Sequence, residues 1–412
     1  MTTHSTALIA LISGALLSAC GGGGSSSSAS TDTPVTPTTP SQPDEQCQQQ
    51  NTSVQWQALL AGNAEKLSDY QLFQNPCDPT QNPSAGGLIY DLSVPLFTDY
   101  ASKYRFVFIP EGQKVQYHPT ETFEFPVGSV ITKTFTMPGN TSERGIENER
   151  LLETRLLIKR EGGWIARPYV WNAEGTEATW DVTGENLVIN DLQHLQNSLS
   201  FTYKVPNQNA CTTCHQVNPN GDDDAVDGVD PTPARFSPIG PKARYLNSDL
   251  DYGQGPENQL QKWLAEGILE GLPAMSEVDS TPAFSDALPL SQITASADLL
   301  LDTSKAWLDI NCGHCHRKEG QASNTAFRAD WNIAWTGNEQ YHGACAVAVS
   351  GAGESAIVIV PGDADNSLLY QRMHTNEPGD AMPPLGRAIV HEEGNALIKA
   401  WINAMNPSLC QP

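Results

Sequence analysis

The sequence predicts an α+β multidomain protein, in which an antiparallel β-sandwich or barrel-like domain precedes two small all-α domains. Three observations lead to this prediction. Short runs with β-strand character alternate with Pro and Gly from Gly87 to about Tyr203. From Pro206 onward the apolar residues recur at helical spacing instead. The helical half also carries the motif Cys-x-x-Cys-His twice, starting at Cys211 and at Cys312, which indicates an internal duplication.

The N-terminus has the features of an export signal. The apolar run from Ala7 to Leu17 is too short to cross a bilayer as a helix. It ends in Leu-Ser-Ala-Cys, which resembles a bacterial lipobox, so we predict a signal peptide over residues 1–19 and a lipid on Cys20. The alternative is an ordinary cleaved secretory signal. No Asp follows Cys20, which in similar lipoproteins favours an outer-membrane anchor facing the periplasm or the cell surface.

Residues 20–46 are predicted to be a lipidated disordered tether, because Gly, Ser, Thr and Pro dominate and cannot form a core. The whole chain has 47 acidic and 23 basic residues and a formal net charge of −24. This balance argues against a general nucleic-acid-binding protein.

Residues 47–205 are predicted to form a helical lead-in and a β-rich domain. The lead-in, Ser53–Gln74, spaces its apolar residues along one helical face. The strands that follow have no βαβ rhythm, so a nucleotide-binding domain is excluded. The clearest predicted strands are 104–109, 121–125, 129–135, 154–158 and 164–171.

Two helical domains are predicted to follow, over residues 206–294 and 295–412. The first contains a helix at 258–267. The second contains amphipathic helices at 295–309 and 394–405. Each motif is therefore followed by enough chain to enclose one cofactor.

Cys-x-x-Cys-His is the attachment motif of c-type haem. Two thiols on one helical turn can each form a thioether to the haem, here Cys211 with Cys214 and Cys312 with Cys315. The adjacent histidines, His215 and His316, become the proximal iron ligands. The motifs thus predict two covalently attached haems and two cytochrome c domains. A zinc knuckle, a thioredoxin-like redox pair and structural thiol pairs are the alternatives, and neither motif opens the βαβ unit typical of thioredoxin.

The chain has nine cysteines. Lipid on Cys20 and the two haem motifs account for five of them. The remaining four form an even set in an oxidising compartment, which predicts two disulfides among three possible pairings. We favour Cys47–Cys77 and Cys345–Cys410.

The distal ligand of the second haem is predicted to be Met382, in the segment Ala-Met-Pro-Pro-Leu-Gly. The following prolines stiffen this loop, and a Met/His ligand pair raises the reduction potential. The alternatives are that Met382 only packs beside the haem, or that Met373 or His374 takes its place. Met373 lies on a probable helix, where packing is the more natural role.

The sequence gives a weaker indication of the distal ligand of the first haem. Met275 has a suitable spacing from His215 but lacks the Met-Pro-Pro pattern. His194 or His118 could bind instead, or the iron could be open. The backbone carbonyl of Pro238 or Pro241 is expected to orient His215.

Several further segments resemble a family of exported bacterial diheme c-type cytochromes. The resemblance runs from about Gly87 to Trp401, and these segments carry it: 94–100 (VPLFTDY), 125–128 (FPVG), 153–155 (ETR), 209–215 (NACTTCH), 258–260 (NQL) and 309–316 (DINCGHCH). It implies a β-rich N-terminal domain, two cytochrome c modules, haem binding and electron exchange with redox partner proteins. It implies no substrate.

The predicted function is single-electron transfer without catalytic residues. The alternative is a peroxidase- or oxygenase-like enzyme with an open first haem. A third hypothesis gives the β domain a carbohydrate or protein ligand, bound by Trp164, Tyr169, Trp171 and Trp180. An exposed row of these side chains would favour binding, and burial would favour a core role.

Overall fold

The computed structural model describes residues 45–219, 233–349 and 356–410. The predicted signal peptide, Cys20 and nearly all of the predicted tether lie outside these ranges. Within them, the α+β class and the antiparallel β-rich region are confirmed.

The main sheet has six strands in the order β1-β2-β4-β5-β6-β7, and every neighbouring pair is antiparallel. Strands β8 and β9 form a separate antiparallel hairpin. The strands of this region are β1 (Gly87–Ile89), β2 (Ser102–Phe108), β3 (Val115–Gln116), β4 (Val130–Pro138), β5 (Glu149–Arg160), β6 (Gly163–Trp171), β7 (Ala178–Trp180), β8 (Asn186–His194) and β9 (Asn197–Lys204).

One predicted strand, 121–125, is absent as a regular element. Its residues make only single bridges, Gln116 to Glu124 and Thr122 to Lys242. The Thr122 hydroxyl donates to the Pro238 carbonyl at 2.9 Å, so this segment contacts the chain after the first motif rather than a sheet edge.

The side chains of the main sheet alternate between two environments, as the two-residue period of a strand requires. On one face, Phe106, Val130 and Leu156 belong to a core shared with the N-terminal lead-in. On the other face, residues of the same strands point toward the helical half of the protein. The second face also carries apolar core, since Val107 and Ile131 cluster with Leu260 and Trp263.

In the lead-in, the helices are shorter than the sequence predicts. Elsewhere, the helix bounds are close to the predicted ones. Helix α1 stops at Ala61 because Gly62 takes an extended conformation, and a 3-10 turn follows at Leu67–Tyr70. Asn258 caps α4 by accepting the amides of Leu260 and Gln261. The helices are α1 (Trp56–Ala61), α2 (Cys211–His215), α3 (Ala243–Leu246), α4 (Gln259–Ala265), α5 (Leu290–Ile293), α6 (Ala297–Asn311), α7 (Leu368–Met373) and α8 (Glu392–Ala404).

Residues 206–294 also contain short strands between their helices. They pair with one another or, for β14, in parallel with β3. The division into two all-α domains thus stays a prediction. These strands are β10 (Gln216–Val217), β11 (Arg235–Phe236), β12 (Asp249–Asp251), β13 (Pro256–Asn258) and β14 (Leu269–Glu270). Across the described ranges, no helix has the length and apolar character needed to cross a membrane.

Both predicted disulfides are present. Cys47 is bonded to Cys77, and Cys345 to Cys410. The four motif cysteines are free thiols. The division of the cysteines into attachment and structural sets is therefore consistent with the sequence prediction.

A buried ion pair joins α3 to α6. Arg244 Nη2 lies 2.7 Å from Asp309 Oδ2, and both side chains are almost fully buried. The Tyr245 hydroxyl donates to the same carboxylate oxygen. Burial alone would raise the pKa of Asp309, but Arg244, Lys242 and the hydrogen bond from Tyr245 outweigh it and lower the pKa below its usual value.

Replacing Arg244 with Met is expected to lower the free energy of unfolding by about 3–5 kcal/mol, because it leaves a buried carboxylate without its partner. Urea unfolding would measure this loss, and exposed Arg150→Met should change stability by less than about 0.5 kcal/mol. The Asp309 pKa is depressed in the folded state, so its contribution is complete above the unfolded pKa of about 4 and is lost as pH falls further. Equal effects of the two substitutions would contradict the role of the pair.

Candidate haem site

The first motif forms the five-residue helix α2, directly after a 3-10 turn capped by Asn207. The His215 ring lies flat on Phe236, with centroids 4.7 Å apart. His215 Nδ1 lies 2.8 Å from the Ser237 carbonyl, to which it donates. The prediction that Pro238 or Pro241 supplies the accepting carbonyl was wrong. Ser237 supplies it, because the Ser237 amide also donates to the His215 carbonyl.

This arrangement leaves His215 Nε2 available for a metal. A ligating histidine usually donates its other ring N–H to a carbonyl, which fixes the orientation of the ring. Burial lowers the pKa of His215 to about 4, so the imidazole is neutral at pH 7, as ligation requires.

The second motif follows α6 directly. The amides of Cys312 and His316 continue the helical hydrogen bonding, to the carbonyls of Leu308 and Cys312. His316 Nδ1 lies 3.0 Å from the Thr325 hydroxyl oxygen, and that hydroxyl donates to the Ala322 carbonyl. Thr325 is therefore the acceptor for His316, and Nε2 again remains available. Burial lowers the pKa of His316 to about 4 as well.

The two motifs lie against each other. The Cys315 thiol contacts the Thr213 carbonyl at 3.3 Å, and Gln321 Nε2 donates to the Thr212 carbonyl at 3.0 Å. One ligand-type atom from each of Cys214, His314 and Cys315 lies within 4.8 Å of the others. A structural zinc site takes four ligands, whereas this group has three and leaves out the first cysteine of each motif.

A cavity with an open volume of about 1260 Å³ lies between α2 and the main sheet. That volume includes space open to solvent, and the enclosed part measures about 160 Å³. Cys211, Cys214 and His215 form one side. Asn311 at the end of α6 and His314 of the second motif reach its edge. Its apolar lining includes Leu92, Leu96, Ile131, Leu157, Ile239 and Ile310.

Three cationic side chains line the sheet side of this cavity: Arg105, Lys133 and Arg155. They lie directly opposite one another on β2, β4 and β5. Glu153 pairs with Arg155 through two hydrogen bonds, and Asp91 pairs with Arg105. We call these three residues the cationic row.

The protein itself does not neutralise all the charges or satisfy all the hydrogen-bond donors of the cationic row. Arg105 Nη2 is buried without a hydrogen-bond partner. Burial, followed by the charges of Arg105, Lys103 and Arg155, holds the pKa of Lys133 well below its usual value. Like charges directly opposite on neighbouring strands destabilise a sheet, so this row calls for an anionic ligand.

The residues present fit haem. Haem offers a flat apolar ring to the aliphatic lining, two vinyl groups to the thiols and two negatively charged propionates to the cationic row. The available Nε2 atoms of His215 and His316 can each bind iron. The sequence analysis did not predict the cationic row. The pattern that could have revealed it is a basic residue at paired positions of three adjacent strands.

The loop that carries Met382 reaches the cavity. Pro383, Leu385 and Gly386 line it, and the Met382 amide donates to the Arg372 carbonyl at 2.9 Å. Met373, in contrast, is buried in the apolar core of the C-terminal helices. The packing role of Met373 is therefore confirmed, and Met382 stays the predicted distal ligand of the second haem.

Met275 begins a 3-10 turn and packs against the apolar cluster around Trp263. It is not among the residues that line the cavity beside His215. The two alternative histidine ligands have other partners. His118 Nδ1 accepts hydrogen bonds from the amides of Thr120 and Glu121. His194 belongs to a separate buried cluster. The distal ligand of the first haem stays a prediction.

The aromatic side chains of the β domain do not form an exposed row. Tyr169 and Trp171 are buried in the core, and Trp164 and Trp180 are half-buried. Trp171 Nε1 donates to the buried Thr154 hydroxyl at 2.9 Å. These four residues therefore have a structural role rather than that of a sugar platform.

The site geometry is that of a c-type haem protein. Residues 346–386 match the model of a family described as planctomycete cytochrome C. The match supports a protein of the cytochrome c type, with covalently bound haem and electron transfer at iron. It covers the Met382 loop but not the motif at Cys312–His316. No curated protein and no solved structure matches the chain.

Proposed function

We propose that the protein is a diheme c-type cytochrome that relays single electrons between redox partner proteins. The observation that carries this proposal is the contact between the two motifs, where Cys315 meets Thr213 and the second cysteines adjoin. Haems attached to adjoining cysteines would be neighbours. When bound, each haem supplies one iron that alternates between the ferric and ferrous states.

The residues of the chain would hold the two haems in fixed positions. Four cysteines attach them, and His215 and His316 bind the irons through Nε2. Ser237 and Thr325 keep each imidazole in its orientation. We assign Met382 to the second iron and Met275 to the first, as the sequence predicts. The cationic row would neutralise the propionates, which gives the β domain a role as one wall of the haem pocket.

We further propose that the protein is exported and anchored to the outer membrane by lipid on Cys20, facing either the periplasm or the surface. The two disulfides support an oxidising compartment. Labelling with a radioactive fatty acid, and its loss in Cys20→Ala, would test the anchor.

A second function is favoured by one observation. Among the described residues that line the cavity, none is a methionine. If the first iron lacks a distal protein ligand, the protein could be a peroxidase- or oxygenase-like enzyme.

Ligand binding separates the two functions. A relay with two six-coordinate irons should not bind cyanide at low concentration and should not consume peroxide. Replacing Met275 with Leu should then remove half of the thioether-to-iron absorption band. Stoichiometric cyanide binding by the wild type, with no effect of Met275→Leu on the band, would instead support the enzyme.

Replacing Lys133 with Gln is expected to lower the midpoint potential of one haem. A lysine that pairs with a propionate is positively charged, and a nearby positive charge favours the less positive ferrous state. Spectroscopic redox titration would show one shifted and one unshifted transition. The control Lys204→Gln removes the same charge from an exposed position on β9 and should shift neither. Unchanged potentials in the Lys133 variant would contradict the assignment of the cationic row to the haem pocket.

A further inference from the structure

A second cluster of metal-ligand side chains lies outside the haem motifs. It combines His194 at the end of β8, Asp286 in the loop before α5, and His391 and Glu393 at the start of α8. Three distant segments thus bring two imidazoles and two carboxylates together. His194 is 2% exposed and His391 is 5% exposed, so both are shielded from solvent.

One ligand-type atom from each of Asp286, His391 and Glu393 lies within 4.8 Å of the others, and His194 adjoins this group through Glu393. His391 Nε2 lies 2.9 Å from Asp286 Oδ1 and 3.7 Å from Glu393 Oε2. His194 Nε2 lies 3.0 Å from Glu393 Oε1. Bonds of about 2.0–2.2 Å from a divalent metal to nitrogen and oxygen leave neighbouring ligand atoms at similar separations.

Hydrogen bonding within the protein does not account for the contact between His194 and Glu393. His194 Nε2 and Glu393 Oε1 are both buried and neither makes a hydrogen bond, although they are 3.0 Å apart. Buried polar atoms without partners are costly and uncommon. The His391–Asp286 contact could stand as an ordinary hydrogen bond, so the unpartnered His194–Glu393 contact is the observation that points to an ion.

The surroundings hold the ligands in place. His194 Nδ1 lies 2.9 Å from the Thr141 hydroxyl, the type of contact that orients a metal-bound imidazole. The Tyr100 ring stacks on His194, with centroids 3.9 Å apart, and its hydroxyl donates to Glu393 Oε2 at 3.0 Å. Phe97 stacks on His391, with centroids 4.1 Å apart.

The turn that supplies these aromatic residues is strained. Asp99 and Tyr100 both have positive φ, 49° and 61°. Non-glycine residues adopt this conformation only when their surroundings fix it, and such residues cluster at functional sites. Asp99 Oδ1 accepts the amides of Ala388 and Ile389, which ties the turn to the chain leading into α8.

We propose that His194, Asp286, His391 and Glu393 bind one divalent transition-metal ion, separate from the haem irons. Two neutral imidazoles and two carboxylates balance its charge and suit Zn²⁺, Mn²⁺ or Fe²⁺. Four protein ligands, of which the two histidines are buried, define a structural site that joins α8 to the β8–β9 hairpin. Phe97 also lines the haem cavity, so the ion fixes one part of its wall.

The test uses the full-length protein with its haems attached. The protein is stripped with a chelator, then incubated with Zn²⁺ or Mn²⁺ or, under anaerobic conditions, Fe²⁺, and desalted. Metal content is measured by mass spectrometry, with haem iron subtracted from its absorption spectrum. We expect one ion per chain beyond haem iron, and a higher melting temperature with the ion than without it.

Two variants and one control decide the result. Glu393→Gln keeps the shape and the hydrogen bond from Tyr100, and His194→Gln removes the unpartnered nitrogen; both should lose the ion and its effect on melting. Glu392→Gln changes the exposed neighbour on the same helix and should retain one ion. The proposal is overturned if the wild type holds no such ion under any of the three conditions. Equal retention of the ion by both site variants would overturn it too.

Discussion

Replacing Cys211 and Cys214 together with Ala is expected to reduce covalent haem from two groups per chain to one. The thioethers of the first haem need both sulfurs, whereas the second motif keeps its own pair on the chain that follows α6. The double replacement of Cys312 and Cys315 should have the same effect on the other haem. Haem content is measured from the pyridine adduct after denaturation.

The matched control is the double variant Cys345→Ala/Cys410→Ala, which removes a disulfide and the same number of sulfurs. It should keep both haems, although it loses about 2–5 kcal/mol of stability. A protein that carries zinc at the motif cysteines and no covalent haem would contradict the assignment of the motifs.

Replacing Met382 with Ala is expected to remove at least half of the thioether-to-iron absorption band. The second haem would lose its distal sulfur and fall in reduction potential, because a Met/His pair gives a higher potential than the ligands that replace it. Loss of the entire band would show that the first iron has no methionine ligand. Loss of half would leave Met275 as its ligand.

Met373→Leu is the control for this experiment. Met373 lies in the buried core of the C-terminal helices, and a change to Leu conserves its volume, so the band and both potentials should be unchanged. If Met373→Leu removes the band and Met382→Ala leaves it intact, the distal ligand has been assigned to the wrong methionine.

The parts of the site that are local in sequence could be predicted from it. The spacing of Cys211, Cys214 and His215 predicts which atoms would meet one haem, and the structure places the three on one short helix. The even remainder of cysteines predicted both disulfides. The antiparallel, β-rich character of this region followed from alternating runs of residues, because a strand repeats every two positions.

The parts that depend on tertiary packing could not be predicted. Arg105, Lys133 and Arg155 come from three strands, and only their register places them on one wall of the cavity. Residues 121–125 do not form the predicted strand, because the Thr122 hydroxyl donates a hydrogen bond to the Pro238 carbonyl, more than a hundred residues away. The carbonyl that accepts from His215 belongs to Ser237 rather than to Pro238 or Pro241. A backbone hydrogen bond between Ser237 and His215, and not a proline, fixes this part of the chain.

The role of the β domain follows from the same packing. Its sheet presents one face to the N-terminal lead-in and the other to the first motif, so residues from both predicted domains line one cavity. The buried pair of Arg244 and Asp309 joins the chain after the first motif to the helix before the second. The β domain would then tune a haem rather than bind a ligand independently.

The most direct test of the account is the low-temperature electron paramagnetic resonance spectrum of the fully oxidised protein, with its spins counted. Two neighbouring six-coordinate haems predict two low-spin ferric centres per chain, with signals altered by coupling between them. Full reduction of either haem alone should restore an uncoupled signal from the other. A single ferric centre per chain, two centres that never influence one another, or a stoichiometric high-spin centre would contradict the diheme relay.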